Sequence, residues 1–324
     1  MANSSGLIYG WQLNGTGGGT QLGWTDIGSG AASGGVSWLH LDRTDEHTTE
    51  WLEQHSGLDP IVIDALLAEE TRPRLVRIGD GLLVILRGVN LNPGADPEDM
   101  VAVRLWVEEH RVISMRARAV MAVADIDAAL VKGLGPGTPG ELLTNLAENL
   151  VERMAPVVED LDDLTDELEE QLVEGKSRQI RAALREVRRV TISLRRHLSP
   201  QRDVLARLPL ERAPWLPERE RSRLREVADC VMRYVEDLDE IRDRASVVQD
   251  ELTNRLSEQM NRNMYLLSVV AAIMLPLGFL TGLLGINVGG IPGAESELGF
   301  VVVCALLALI GGLEVLIVRR LHWF

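Results

Sequence analysis

The strongest pattern in the chain is a pair of uninterrupted apolar stretches near its C-terminus. Residues 265–284 contain no charged side chain, and residues 298–318 contain only one, Glu314. About 20 apolar residues at 1.5 Å each cover the roughly 30 Å hydrocarbon core of a bilayer. The pattern therefore predicts two transmembrane helices, joined by a short external loop at 285–297.

The first part of the chain has the mixed pattern of strands and helices. Asp59 followed by Pro60 is typical of a helix start. Strands are predicted at 7–13 and 36–42, hairpins at 72–90 (around Gly79-Asp80-Gly81) and 100–117, and short helices at 48–55 and 59–69. These elements predict an α+β domain over residues 1–140, a mostly antiparallel sheet with flanking helices.

From residue 141 onward, apolar residues recur every three or four positions, which predicts helices. The pattern indicates one helix over 141–174, kinked at Pro156, and a break made by Pro200 and the segment 208–218. We therefore predict a helical hairpin region at 141–217 and a stalk helix at 218–264. If the stalk continues through Pro276 to Leu284, it is about 100 Å long.

Charge is distributed unevenly over the helical hairpin region. Residues 159–174 are strongly acidic, and residues 175–202 are strongly basic. An acidic helix followed by a basic one is typical of an antiparallel pair with facing charges. Alternatively, the carboxylates between Glu159 and Glu170 form a cytoplasmic surface that collects cations.

The basic residues near the two spans indicate their orientation. Arg255 and Arg262 precede the first span and Arg319 and Arg320 follow the second, whereas the loop 285–297 has no Lys or Arg. Positively charged flanks remain in the cytoplasm. We expect a multi-pass protein of the cell inner (cytoplasmic) membrane, with both termini and the tail 319–324 in the cytoplasm.

Overall composition narrows the classes of function. The formal net charge of −15 disfavours a nucleic-acid partner, although an acidic surface also keeps a protein soluble. The two cysteines and six histidines show no metal-ligand spacing, and the Gly-rich segment 15–20 is not followed by the Lys-Ser/Thr of a phosphate loop, so we interpret it as a hairpin turn. No nucleophile, acid/base pair or cofactor motif is evident. We expect neither an enzyme nor a bound cofactor.

Two spans cannot enclose an aqueous path, so transport would require several copies of the chain. The first span has a face that suits this role, because it combines small residues with a polar end. The predicted pore-lining residues are Asn261, Met264, Leu267, Ala271, Leu275, Gly278 and Gly282. The alternative is that both spans only anchor a cytoplasmic module in the lipid.

A short motif follows the first span. Gly285 can end the helix with a positive φ, which would direct the last carbonyl groups at the external mouth. Rings of Ile286 and Asn287 would follow, and the amide oxygens of Asn287 suit a cation that keeps its water shell. Glu295 and Glu297 would add an external acidic ring.

Together these features resemble the CorA metal-ion transporter superfamily, whose members carry Gly-Met-Asn at the end of the first of two C-terminal spans. The variant here, Gly-Ile-Asn at 285–287 followed by VGGIPG, is similar to the zinc-transporting ZntB branch. The segment Arg72 to Arg74 and the sequence MLPLGFLTGLLGIN at 274–287 also carry the resemblance. It implies a homopentameric funnel in which the first span lines the pore and 285–287 form the selectivity filter.

The transported ion is less clearly indicated than the family. The branch implies Zn²⁺, with coupling to a proton gradient, but tight zinc sites use Cys, His and carboxylate ligands, which the predicted pore face lacks. Passage of a hydrated cation fits that face better. A channel for Mg²⁺, Co²⁺ or Ni²⁺ is the alternative within the family. Glu314 is interpreted as an interfacial residue and not as a proton carrier.

Overall fold

The computed structural model describes residues 6–28, 35–69, 71–174, 177–286 and 297–320. The chain divides into two compact units, Met1–Gln249 and Asp250–Phe324. The first unit contains both segments predicted at 1–140 and 141–217, and each unit is described by itself below.

Within the described ranges, one seven-stranded sheet forms the centre of the first unit. Its strands are β1 (Leu7–Leu13), β2 (Gly19–Gln21), β3 (Val36–Asp42), β4 (Arg74–Ile78), β5 (Gly81–Gly88), β6 (Val101–Val107) and β7 (Arg111–Arg116). Their order is β2-β1-β3-β7-β6-β5-β4. Strands β3 and β7 pair in parallel, and the other pairings are antiparallel. The predicted mostly antiparallel sheet is therefore confirmed.

The turn between β4 and β5 shows why glycine is needed there. Ile78 pairs with Gly81 across a two-residue turn, and Gly79 has a φ of 59°. A Cβ on Gly81 would lie 2.1 Å from Cζ2 of Trp106 on the neighbouring strand β6. The glycines thus permit both the turn and the close approach of the indole ring.

The Gly-rich segment at 15–20 includes the turn between β1 and β2 and the first two residues of β2, so the predicted hairpin turn is confirmed. The Asn14 side-chain oxygen accepts hydrogen bonds from the backbone of Thr16 at 2.9 Å and of Gly18 at 3.1 Å. An Asn side chain that bonds to backbone two and four residues on is typical of a tight turn. The segment is a structural hairpin.

Eight helices begin in the described part of the first unit. They are α1 (Trp24–Gly28), α2 (Glu46–Gln54), α3 (Pro60–Leu67), α4 (Met121–Val131), α5 (Pro139–Glu152), α6 (Ala155–Val173), α7 (Ser177–Arg207) and α8 (Glu218–Leu284). The predicted start of α3 is confirmed, because the Asp59 side chain accepts from the Ile61 N–H at 2.8 Å. Helix α4 was not predicted from the sequence.

Two predictions about proline were wrong. The helix expected over 141–174 is two helices, because Pro156 lies in the first turn of α6, where its missing N–H costs nothing, and the chain turns at 153–154. Pro200 was expected to break the next helix, yet α7 continues through it to Arg207. Leu198 and Val204 on either side of Pro200 are both buried, so packing holds the helix together across the lost hydrogen bond.

Apolar side chains cover both faces of the sheet. On one face α2 and α3 pack through Trp51, Leu52 and Leu66 against Trp106 and Ile113 of the sheet. On the other, Leu150 of α5 approaches so closely that a Cβ on Gly88 would lie 2.6 Å from its Cδ2. Burial of these side chains is the main source of stability in the unit.

Helices α6 and α7 contact each other, as predicted. Among the side chains that the structure describes, charged residues of both helices form ion pairs with α8. The carboxylates of α6 that are nearest α8 bind Arg244, and Arg195 of α7 binds Asp239 of α8 at 2.6 Å. The buried stripe of α6, which includes Leu161 and Leu168, makes the apolar contacts. Helix α8 is thus an ionic partner of both helices.

The second unit holds the C-terminal part of α8 and a further helix, α9 (Gly299–Arg320). Both helices are long and apolar enough to cross a membrane. The most apolar window is 6% buried in α8 and 0% buried in α9. Such exposure argues against the core helices of a water-soluble domain and agrees with the two predicted spans.

Candidate ion pathway

Helix α8 carries the predicted pathway. It is continuous over 67 residues and includes Pro276, so the predicted extension of the stalk helix to Leu284 is confirmed. The hydroxyl of Thr281 donates to Leu277 O at 3.0 Å, and that of Ser268 donates to Met264 O at 2.9 Å. Each hydroxyl is therefore satisfied by its own helix, as an apolar environment requires.

The predicted pore-lining residues all lie on an exposed face of α8. Met264 is 59% exposed, Leu267 70% and Leu275 73%. Asn261, Ala271, Gly278 and Gly282 are exposed as well, and a Cβ built on either glycine would meet no atom within 4 Å. One chain therefore presents this face without covering it.

The opposite face of α8 packs against α9. Val269 is 3% exposed, and the half-buried residues Ile273, Leu277 and Leu280 follow it at helical spacing. Leu277 Cδ1 lies 3.6 Å from the position that a Cβ would take on Gly311 of α9. Because 100° separates successive residues, this packed face and the predicted pore face lie on opposite sides of the helix.

Glu314 lies on the half-buried side of α9. Val303, Leu307 and Ile310 share this side, and all are less exposed than their neighbours. The Glu314 Oε2 atom is buried and, within the described residues, makes no hydrogen bond. Glu314 therefore lies among apolar side chains, unlike a residue that faces water.

The end of the first span differs from the prediction at Gly285. Helix α8 ends at Leu284, but Gly285 is not among the described glycines with positive φ. Its N–H donates to Thr281 O at 3.0 Å, a contact that continues the helical pattern, so a left-handed conformation is not needed. In the described segment, no helical N–H follows that of Gly285. The last carbonyl groups of α8 therefore lack a partner within the helix.

The remaining residues of the predicted filter and acidic ring are only partly described. Ile286 is 48% exposed, and Glu297 is exposed at the start of the segment that precedes α9. Asn287 and Glu295 lie outside the described residues. Within the described ranges, no three His, Cys, Asp or Glu side chains form a cluster that could hold a metal ion.

An acidic groove between α6 and α8 corresponds to the alternative cation-collecting surface. A cavity of about 130 Å³ is lined by Glu159, Asp162, Asp237 and Glu240. Burial, followed by the negative charges of Glu240 and Asp162, raises the pKa of Asp237 above its usual value. Arg244 lies 2.8 Å from Asp162 and offsets its charge, so only part of the negative charge of the groove is compensated.

Sequence comparison identifies the family. Residues 33–320, almost the whole chain, match the family of the CorA-like Mg²⁺ transporter protein. The chain belongs to the CorA-like transporter family. It is 43% identical over 322 residues to the divalent cation transporter CmaX of Pseudomonas aeruginosa, covering 98% of this chain and 97% of CmaX.

Two further comparisons support membership of the CorA-like family. The chain is 39% identical over 319 residues to the zinc transport protein ZntB of Pectobacterium carotovorum, covering 98% of this chain and 96% of ZntB. The solved structure of full-length CmaX matches with a TM-score of 0.85 and 42% identity over 99% of both chains. This CorA-like chain is accordingly a membrane transporter, and the family is not one of enzymes.

Proposed function

We propose that the protein transports divalent metal cations, above all Zn²⁺, through a central pore formed by a homopentamer. The uncovered face of α8 carries this proposal. Its residues between Asn261 and Gly282 are all exposed in one chain, whereas the opposite face packs on α9. Small residues such as Gly278 and Gly282 let helices approach closely, so copies of the same face can surround a narrow path.

The proposed number of copies rests on the family resemblance. Two helices per chain cannot enclose water, and a ring of identical subunits closes by rotational symmetry. In such a ring α8 lines the pore and α9 supports it from outside. The lipid bilayer and the other subunits are then the partners of the second unit, and no nucleic acid is involved.

Zinc is proposed as the principal ion on two grounds. The chain shares Gly-Ile-Asn at 285–287 with the predicted ZntB branch, and a 39% identical relative is named a zinc transport protein. The predicted pore face offers amide and backbone oxygens but no Cys, His or carboxylate, so the ion would pass with its water shell. We also propose coupling to a proton gradient, with no resident cofactor.

The proposed filter comprises Gly285, Ile286 and Asn287, with Glu295 and Glu297 as an external acidic ring. In a symmetric assembly, the Asn287 amides would form one ring and the carboxylates a second ring that raises the local cation concentration. The protein would lie in the inner membrane with both termini in the cytoplasm. Arginines precede the first span and follow the second, whereas the loop between the spans has none.

Two other functions are compatible with parts of the molecule. A CorA-type channel for Mg²⁺, Co²⁺ or Ni²⁺ would use the same pore face, and CmaX is named only as a divalent cation transporter. A membrane-anchored scaffold without a pore would use the two helices as anchors alone. The three functions differ in which ions cross a sealed membrane.

Flux measurements distinguish the three candidate functions. The full-length protein is reconstituted in proteoliposomes, and uptake of Zn²⁺ and Mg²⁺ is followed with internal dyes, with and without an imposed pH gradient. We expect Zn²⁺ uptake that exceeds Mg²⁺ uptake, increases with a pH gradient and decreases strongly in Asn287→Ala. Preferential Mg²⁺ flux would support the CorA-type channel, and absence of flux for both ions would refute transport.

A further inference from the structure

A cavity in the first unit is separate from every residue assigned to the ion pathway. It has a volume of about 540 Å³ and lies between α1, α2 and the sheet. Trp24 of α1, Trp51 of α2 and Leu39 of β3 contribute its apolar walls. The volume falls within the range of roughly 300–1,000 Å³ that is typical of small-molecule sites.

Aromatic rings dominate one side of this cavity. The ring centres of Trp24 and Trp51 are 5.5 Å apart, and that of His47 lies 5.0 Å from Trp24. Trp51 is 8% exposed and belongs to the hydrophobic core, so its indole is held rigidly. In a chain with only 4% aromatic residues, this grouping offers a preformed surface on which a planar ring can stack.

The polar side of the cavity carries basic groups. His47, His55 and Arg111 line it, and its lining includes no Asp or Glu among the described parts of the chain. Arg111 is oriented by the carboxylate of Glu108, whose Oε2 lies 3.0 Å from its Nε and 2.9 Å from its Nη2, and by Ser56 O, 2.7 Å from its Nη1. Arginine has five N–H groups, so donors remain for a further acceptor in the cavity.

Together the two sides define the chemistry of a ligand. We propose that the cavity binds a planar aromatic ring bearing one anionic group, such as a nucleoside monophosphate. The ring would stack on Trp24, with its edge against Trp51, whose plane is tilted by 56° from that of Trp24. The anion would bind between Arg111 and His55. A guanidinium and imidazole N–H groups can donate to phosphate or carboxylate, whereas the overall charge of −15 would repel anions elsewhere on the protein. The site does not depend on the proposed ion selectivity.

Three related probes test the proposal on the purified full-length protein. AMP carries both the ring and the anion, adenosine carries the ring alone, and inorganic phosphate carries the anion alone. Binding is measured by equilibrium dialysis and by quenching of tryptophan emission. We expect saturable AMP binding with quenching, and affinities for adenosine and phosphate that are each at least about fivefold weaker.

Variants test whether the binding occurs in this cavity. Trp24→Leu should weaken AMP binding by at least about fivefold, because it removes one stacking surface. His55→Ala should weaken it several-fold, whereas His110→Ala, an exposed histidine in the turn between β6 and β7, should leave it unchanged. Absence of AMP binding at millimolar concentration, equal affinities for AMP and adenosine or for AMP and phosphate, or an unchanged affinity in Trp24→Leu would each overturn the proposal.

Discussion

Arg244 of α8 donates from Nε to Glu169 Oε1 of α6 at 2.9 Å. The same guanidinium binds Asp162 at 2.8 Å and also contacts Asp166, so three carboxylates on successive turns of α6 share one cation. The hydrogen bonds that Arg244 donates to Glu169 and Asp166 are the main reasons that its pKa is above its usual value. This residue joins the acidic helix to the long helix that continues into the second unit.

Replacing Arg244 by Met should lower the free energy of unfolding of the first unit by about 1–2 kcal/mol, since each partly exposed pair contributes about 0.2–1 kcal/mol. The loss should shrink at high salt because exposed charges are screened. Thermal unfolding of the purified protein at low and high salt measures both effects. Arg242→Met is the matched control, because its partners Asp239 and Asp243 lie on the same helix. Equal losses in the two variants would contradict a role of Arg244 between helices.

His40 should make the stability of the protein depend on pH. Its side chain is fully buried in β3, with Nδ1 2.8 Å from Ser114 Oγ. Burial, followed by the positive charge of Arg116, lowers the pKa of His40 to about 3. Below pH 6.5 the unfolded chain binds a proton that the folded chain excludes, so stability falls as the pH falls from about 6.5 toward 3.

The contribution of His40 can be isolated with His40→Gln. Between pH 6 and 4.5, the stability of the unmodified protein should fall more steeply than that of the variant, by up to about 1.4 kcal/mol per pH unit. Chemical unfolding at several pH values measures the two slopes. His110→Gln removes an exposed histidine and should keep the original slope. Parallel curves for the unmodified protein and His40→Gln would show that His40 titrates normally.

The pore face makes a prediction that separates two adjacent alanines. Ala271 lies on the predicted pore face, and Ala272 is rotated about 100° from it, although both are exposed in one chain. In the proposed pentamer, Ala271→Leu would add one ring of five leucine side chains to a narrow path, so cation flux should fall at least about tenfold. Ala272→Leu adds the same volume outside the path and should retain most of the flux. Proteoliposome uptake of Zn²⁺ compares them, and a larger loss in Ala272→Leu would require a different pore-lining face.

Gln201 completes the sheet where a strand is missing. Its Oε1 accepts from Arg87 N at 2.6 Å and its Nε2 donates to Arg87 O at 2.9 Å. Strand β4 begins at Arg74, which pairs with Ile85, so it does not reach the backbone of Arg87. The buried amide of α7 therefore takes the place of a neighbouring strand.

Gln201→Leu should destabilise the first unit by about 2–4 kcal/mol, because it leaves two backbone groups without these hydrogen bonds. Arg202→Leu changes the adjacent, partly exposed residue, whose partner is Asp203, and should cost less than about 0.5 kcal/mol. Denaturant unfolding of both variants provides the measurement. A loss below about 1 kcal/mol in Gln201→Leu would show that water replaces the amide.

Local sequence signals predicted several elements because those elements depend on nearby residues. The turn at Gly79, the N-cap at Asp59 and the length of α8 follow from short-range hydrogen bonding and apolar periodicity. Helix α4 was missed because its apolar residues do not form a clear stripe and its N-cap, Val120, makes no side-chain hydrogen bond. For α4, contacts with the rest of the fold, and not local preference, decide the structure.

For the candidate site, the sequence alone determined the two spans, the face from Asn261 to Gly282 and the family motif at 285–287, because hydrophobic length and helical spacing are properties of consecutive residues. Only the tertiary structure decided which face of α8 packs on α9, that Glu314 lies on the half-buried side of its helix, and that three carboxylates of α6 pair with Arg244 of α8. These outcomes depend on side chains distant in sequence, whose contacts are selected by packing of whole helices.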